Sequence, residues 1–462
     1  MTLVITLVVS ILVLGKNNDQ LYPCLSILPF CFLIGTLVFN KLFSAIFENI
    51  GVLFVEILFA VRMVVIPFFM AITIDMVRSP STSSMFTKAV FLQCYEYLFI
   101  MLVLWCAHVS SKKRHSIHEK NEIYVFFNPG MAFSLCIVAM TIFVVGVWLL
   151  VPSSRNLYSS IFHFSDVDFT TVAYSTGSEA VGSLTRSILT LFKMAFDIVR
   201  ILFPMFIILK IRKKYGYSHL GVAISLLFCV LQLLFIPSTT ARAVISAFLL
   251  LYFTTKVYPE IERKFLTYTI LGTVGVILAY FYIRFTVGSR YGTTGLEYIS
   301  NILTAYFGGI NNIASGFNIP KGHEVSAFWG SLYSAIPFNS TLFGLKVETL
   351  QNFFNAANNS YGQITPMISE GCYYFGSAFA PVFSAIFALV AYRYGQKQNV
   401  EINPWMNICY LFIAIMSAIS IVMYNEQIIV VWFTNWLIPM TLIAAMTKGA
   451  FNIEKNRNNN IA

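Results

Sequence analysis

The sequence predicts an all-α polytopic membrane protein of about 12 transmembrane helices, a single integral membrane domain over residues 1–462 with two enlarged external loops. Three observations carry this. Of the residues, 58% are hydrophobic and only 11% charged, against roughly 25% charged in a soluble domain. Apolar stretches near the 20 or so residues that a bilayer needs recur along the chain. Lysine and arginine also alternate between the connections, as the positive-inside rule requires.

In chain order the apolar runs fall at 2–15, 21–39, 51–75, 89–109, 131–151, 187–209, 219–237, 243–255, 265–283, 371–392, 404–423 and 427–446. The first has the length of a signal-peptide core but lacks a basic region before it, so it is expected to be a short uncleaved span. Lys112, Lys113, Arg114 and Lys120, then Lys210, Arg212, Lys213 and Lys214, then Lys256, Arg263 and Lys264, and finally Lys448, Lys455 and Arg457 all fall on one side. Both termini are then expected to be cytoplasmic in a bacterial inner membrane. The net charge of +10 thus reports topology, and no nucleic-acid partner is expected.

Connections are short except at 152–186 and 284–370, both external. In the larger, Leu296, Ile299, Ile302, Leu303, Tyr306 and Ile310 recur at helical spacing. They predict a helix over 295–317 that lies in the membrane interface or packs on the bundle as a lid. The Asn-rich stretch 350–360 followed by Tyr361 offers amides suited to a hydroxyl-rich ligand, or builds plain turns.

Phosphate-binding glycine loops, dinucleotide fingerprints, H-E-x-x-H and G-x-S-x-G are all missing from the sequence, which leaves nucleotide-driven and standard hydrolase chemistry without their parts. The eight cysteines form no C-x-x-C pair and read as small apolar residues. External basic residues favour arginine: Arg78, Arg155, Arg186, Arg242, Arg284 and Arg290. Arg242 in a Ser-Thr-Thr-Ala-Arg turn, and Arg284 with Ser289 and Arg290 after the ninth run, stand where a lipid pyrophosphate would sit. The alternative is interfacial anchoring by snorkelling side chains. Within the runs, Asp197 and Arg200 are three apart and pair on one helix, whereas Glu56 and Arg62, six apart, do not share a face, which points Arg62 to Glu96. Ion-coupled transporters use such residues as relays. Candidate external bases are His163, Asp166, Asp168, Glu179, His323, Glu324 and Glu370. Of these Glu370 is best placed to orient a sugar hydroxyl, and Asp166-Val-Asp168 carries a short D-x-D pattern.

The Ser-Thr-Thr-Ala-Arg242-Ala turn, Arg284 with Gly295 eleven residues on, Ser369-Glu370-Gly371, Phe375-Gly376 and Tyr392-Arg393 occur in this order. With the topology, they resemble the bacterial oligosaccharide repeat-unit polymerases, the Wzy-type O-antigen and capsule polymerases. The resemblance implies a GT-C-like fold and glycosyl transfer from an undecaprenyl-pyrophosphate-linked glycan at the outer face of the inner membrane. It implies Arg242, Arg290 and Glu370 as catalytic groups and Arg284, Ser289, Tyr361 and His323 as substrate-binding ones. No metal or cofactor is required, and membrane lipid, a chain-length regulator and a flippase are the expected partners. Two alternatives stay open: a lipid-linked oligosaccharide flippase, to which the intramembrane charges point, and an O-antigen ligase, to which His323 points.

Overall fold

The computed structural model describes residues 2–16, 22–44, 46–73, 81–112, 125–127, 131–152, 154, 183–234, 240–258, 297, 300, 303–304, 307–336, 338, 348–359, 364–401, 404–423, 426–446 and 451–453. They form a helical bundle. Five helices are long and apolar enough to cross a membrane: Ile50–Ile72, Ser83–Ser111, Met131–Leu150, Trp405–Val422 and Ile429–Met446. Shorter apolar helices occupy Ile5–Lys16, Ile27–Val38, His219–Gln232 and Ile245–Val257, and a 33-residue helix runs over Ser183–Tyr215. Helices therefore lie at ten of the twelve apolar runs, and the ninth run, 265–283, falls outside the described residues.

The tenth run, 371–392, departs from expectation. Met367–Phe375 ends at Gly376, whose φ is +77°, and the long helix starts afresh as Val382–Val400 behind Pro381. The intervening turn folds back so closely that a Cβ on Gly371 would lie 2.0 Å from the Ala380 carbonyl oxygen. A left-handed glycine followed by a proline breaks a helix however apolar its neighbours are.

The central helix 404–423 is almost wholly buried, while Met131–Leu150 exposes most of its surface at the periphery, as a lipid-facing helix does. Close crossings use small residues. A Cβ on Gly51 would lie 2.1 Å from the Ala391 carbonyl oxygen, so helices 50–72 and 382–400 meet backbone to backbone. Asn49 locks that crossing: its Oδ1 accepts from the Gly51 and Val52 amides, capping the helix, and its Nδ2 donates to the Tyr392 carbonyl at 2.9 Å.

The bundle is all-α apart from one short pairing, in which Val125–Phe127 runs antiparallel to Phe451–Ile453. The pair lies between the helices Ser83–Lys112 and Met131–Leu150 in the chain and beyond the end of the last helix, and so marks one end of the bundle. Helix Glu324–Ala335 packs against Glu426–Trp432, where the last helix begins, and is therefore at the opposite end.

Two helices widen into π turns, Val61–Val65 and Phe433–Leu437. Each is followed directly by Ile-Pro, at Ile66-Pro67 and Ile438-Pro439. Proline has no N–H to give the residue four before it and its ring crowds that carbonyl; a widened turn relieves both. Pro204, inside Ser183–Tyr215, sits in continuous α-helix, so proline permits the π turn without dictating it.

Candidate functional site

Two polar clusters and a polar roof are built into this bundle. The first cluster centres on the π turn of helix 50–72. Arg62 is wholly buried, and its Nη1 pairs with Glu96 Oε2 at 2.7 Å while its Nε donates to the Gly308 carbonyl at 2.9 Å. Ser384 donates to the other Glu96 oxygen, and Gln93 Nε2 donates to the Arg62 carbonyl at 3.2 Å. One buried pair thus joins helices 50–72, 83–112 and 382–400 to the segment after Tyr306, and the expected Arg62 to Glu96 partnership is present. Excellent geometry is what a charge pair out of water needs. Arg62 Nη2 nonetheless has no hydrogen-bond partner among the described residues, and neither oxygen of the buried Glu56 has one.

The second cluster surrounds the other π turn. Asp197 and Arg200 approach at 3.8 Å, Trp436 Nε1 donates to Asp197 Oδ2 at 3.0 Å, Gln232 donates to the Arg200 carbonyl at 2.6 Å, and Arg200 bonds Ser246. The Arg200 guanidinium also lies 5.5 Å from the Trp436 ring centroid, a cation–π arrangement. These contacts knit helices 183–215, 219–234, 240–257 and 426–446 together, in keeping with a structural pair.

The roof comes from the expected external loop. Its helix Ile310–Gly316 is inserted into the bundle: Ile310, Asn312, Ile313, Ala314 and Ser315 are buried, and it packs on helices 83–112 and 367–375. Of the segment 295–317, this described part is therefore not exposed at an interface. It enters through Gly308, whose φ is +55° and whose Cβ would lie 2.5 Å from the Val422 carbonyl oxygen, a position only glycine occupies without strain. Asn312 Nδ2 donates to the Ile364 carbonyl, Asn358 Nδ2 to the Ser315 carbonyl, and Gln351 Oε1 accepts from the Thr365 amide and hydroxyl. These amides, read as ligand groups or turn formers, satisfy the loop's own backbone. The Oγ atoms of Ser300 and Ser369, Thr304 Oγ1 and Asn311 Oδ1 are buried with no hydrogen-bond partner among the described residues.

Glu370 is completely buried in the first turn of Met367–Phe375, where the helix dipole favours a carboxylate. Its neighbour Ser369 packs on Gly316 of the inserted helix, close enough that a Cβ there would stand 2.8 Å from its Oγ. His323 is exposed and stacks on Phe353 with ring centroids 5.0 Å apart, so it does not join Glu370 in the interior. Lys321 connects the two neighbourhoods: its Nζ donates to the Tyr373 carbonyl at 3.0 Å, and Tyr373 Oη donates to the Pro320 carbonyl. Beside it, Glu324 accepts the Gly322 amide at 3.0 Å. Its own amide, then that of Gly322, hold its carboxyl below the usual range, aided by Lys321 and His323.

Arg242 lies in the first turn of Thr240–Val257. Arg284, Ser289, Arg290 and Tyr361, with His163, Asp166, Asp168 and Glu179, are outside the described residues. Among the described residues no three His, Cys, Asp or Glu side chains gather as a metal-binding group. Sequence reasoning anticipated a helix within 295–317 but not its burial inside the bundle, nor the two π turns, for which Gly308-Gly309 and the two mid-run Ile-Pro pairs were the available signals. No protein-family model, curated protein or solved structure matches the chain.

Proposed function

We propose that this membrane protein is a glycosyltransferase that polymerises lipid-linked oligosaccharide repeat units at the outer face of the bacterial inner membrane. The acceptor hydroxyl oxygen bonds to the anomeric carbon of the donor glycan, and the bond from that carbon to undecaprenyl pyrophosphate breaks. The pyrophosphate leaves with the electron pair, and the acceptor proton passes to a base. Arg242, Arg284 and Arg290 meet the leaving-group charge in this scheme, Ser289, Tyr361 and His323 contact the sugars, and Glu370 orients the acceptor. A chain-length regulator and a flippase are its partners.

The observation that carries the proposal is the buried Glu370, at a helix N-terminus under a roof of hydroxyls and amides drawn from a long segment at one end of the bundle. Fully buried carboxylates are rare and perturbed acids cluster at functional sites, and the motif order around Glu370 is the part of the chain most like the polymerases.

Glu56 and the Arg62–Glu96 pair favour a second reading, an ion-coupled transporter of lipid-linked oligosaccharide. Deleting the gene separates these activities. A polymerase leaves single repeat units on the cell surface, a flippase leaves none, and a ligase strands polymer on undecaprenyl. In the deletion strain, Glu370→Gln and Arg242→Ala chains at normal protein level are expected to restore little polymer. Full-length glycan from both removes them from the mechanism.

A further inference from the structure

Helix Glu324–Ala335 has two unlike faces. One is seated on protein: Ala327 and Ser331 are buried, Ser331 Oγ accepts the Leu350 amide at 3.2 Å, and Gly330 lies so close to the Glu348 carbonyl that a Cβ would meet it at 1.9 Å. The other carries Val325, Trp329, Tyr333 and Ile336, which are 73%, 53%, 47% and 43% exposed. Their spacing of four, four and three residues makes one stripe along the helix.

The geometry points to a lipid surface as the occupant of this stripe: the helix lies in the outer membrane–water interface, with the four side chains among the lipid head groups and upper acyl chains. Continuity carries the assignment. Rings touch in sequence from Tyr333 to Trp329 (6.3 Å), Phe328 (5.6 Å), Tyr374 (5.7 Å), Phe375 (6.4 Å) and Phe383 (5.0 Å). Phe383 is the second residue of the long helix 382–400. The turn between helices 367–375 and 382–400 is held from the other side by Tyr95, whose hydroxyl donates to the Ala378 carbonyl at 2.8 Å. Tyr95 belongs to the apolar helix 83–111, on which Phe91, Leu98 and Leu102 are also exposed. The stripe is thus the edge of a surface that already faces lipid.

Composition agrees. Tryptophan and tyrosine concentrate where an apolar body meets wet head groups, and Trp329 and Tyr333 supply both here. A carbohydrate platform needs amides or carboxylates beside its rings, and this stripe pairs its rings with Val325 and Ile336 instead. The inference is independent of the catalytic proposal.

The test uses the full chain labelled with 5-fluorotryptophan in phospholipid vesicles and read by fluorine NMR. Trp329→Phe and Trp148→Phe assign two of the six tryptophan signals. Trp148 is the benchmark, since it is exposed near the end of helix 131–150 far from the strand pair. A lipid spin-labelled near the head group is expected to broaden Trp329 as strongly as Trp148, with a water-soluble gadolinium chelate acting far less. Broadening of Trp329 by the chelate and not by the lipid label puts the stripe in water and overturns the assignment. Insensitivity to both means that protein, such as a second copy of the chain, covers it, and overturns it equally.

Discussion

Arg62 Nε donates to the carbonyl oxygen of Gly308 at 2.9 Å, across 246 residues of chain. A buried guanidinium in one membrane helix therefore grips the backbone of the segment that carries the inserted helix, and Glu96 holds the guanidinium in turn.

That chain of contacts makes single and paired substitutions behave differently. Arg62→Ala leaves Glu96 buried without its cation, and is expected to cost about 3–5 kcal/mol. Arg62→Met combined with Glu96→Met removes both charges and is expected to lose less than either single change. Thermal unfolding of the detergent-solubilised chain measures this; a double variant as weak as the sum of the singles contradicts it.

Gly308→Ala places a Cβ in left-handed backbone and against the Val422 carbonyl oxygen. The conformation alone costs about 1–2 kcal/mol, and the contact adds to it. The thermal midpoint is expected to fall, and residues around 304–316 to become protease-sensitive before the bundle unfolds. Unchanged proteolysis shows that the inserted helix is held by other means.

Glu56 is buried and neither carboxyl oxygen has a hydrogen-bond partner among the described residues. An unsatisfied buried polar group costs about 1–3 kcal/mol, so Glu56→Met is expected to raise the midpoint. If transport or polymer formation is lost as the chain becomes more stable, the acid is kept for function, as strained or unsatisfied groups often are.

The Glu324 carboxyl is held low by its own amide and the Gly322 amide. A depressed folded value means that its contribution is present above the usual carboxylate value of about 4.3 and is lost as pH falls through the folded value. Protection against hydrogen exchange, measured relative to the intrinsic rate at each pH, is expected to fall at Gly322 and in the first turn of helix 324–335 as pH drops below the usual carboxylate range. In Glu324→Gln that acid-induced change disappears; its persistence assigns it to another group.

Much of the bundle was legible because bilayer thickness sets a long, repeated apolar signal, and Arg62 to Glu96 followed from the requirement that an intramembrane charge find a counter-charge. The tenth helix was misplaced because an averaged apolar run hides single residues: Gly376 and Pro381 end one helix and begin another inside it. The spacing over 295–317 offered a helix either in the membrane interface or packed over the bundle, and the apolar period alone gave no reason to bury its polar positions. Asn311, Asn312 and Ser315 are buried instead because the fold supplies partners such as the Ile364 carbonyl, and no sequence period records a partner 52 residues away. Glu370 was singled out from its place at the outer end of the tenth run and from motif order; its complete burial has no signature in the local sequence.

A π turn is an α-helix that has accepted one residue more than its neighbours need. Helices 50–72 and 426–446 each carry this surplus residue; Arg62 stands in the first widened turn, and Trp436 in the second meets Asp197 and Arg200 of helix 183–215. Removing one residue from 61–65 would restore regular winding and leave Ile66–Ile72 facing as before relative to the half that Asn49 caps, at the cost of the widened turn that carries Arg62. The two widened turns therefore act as slack: each absorbs a one-residue difference in length, whereas the same difference in the regular part of the span would turn one half against the other by about 100°.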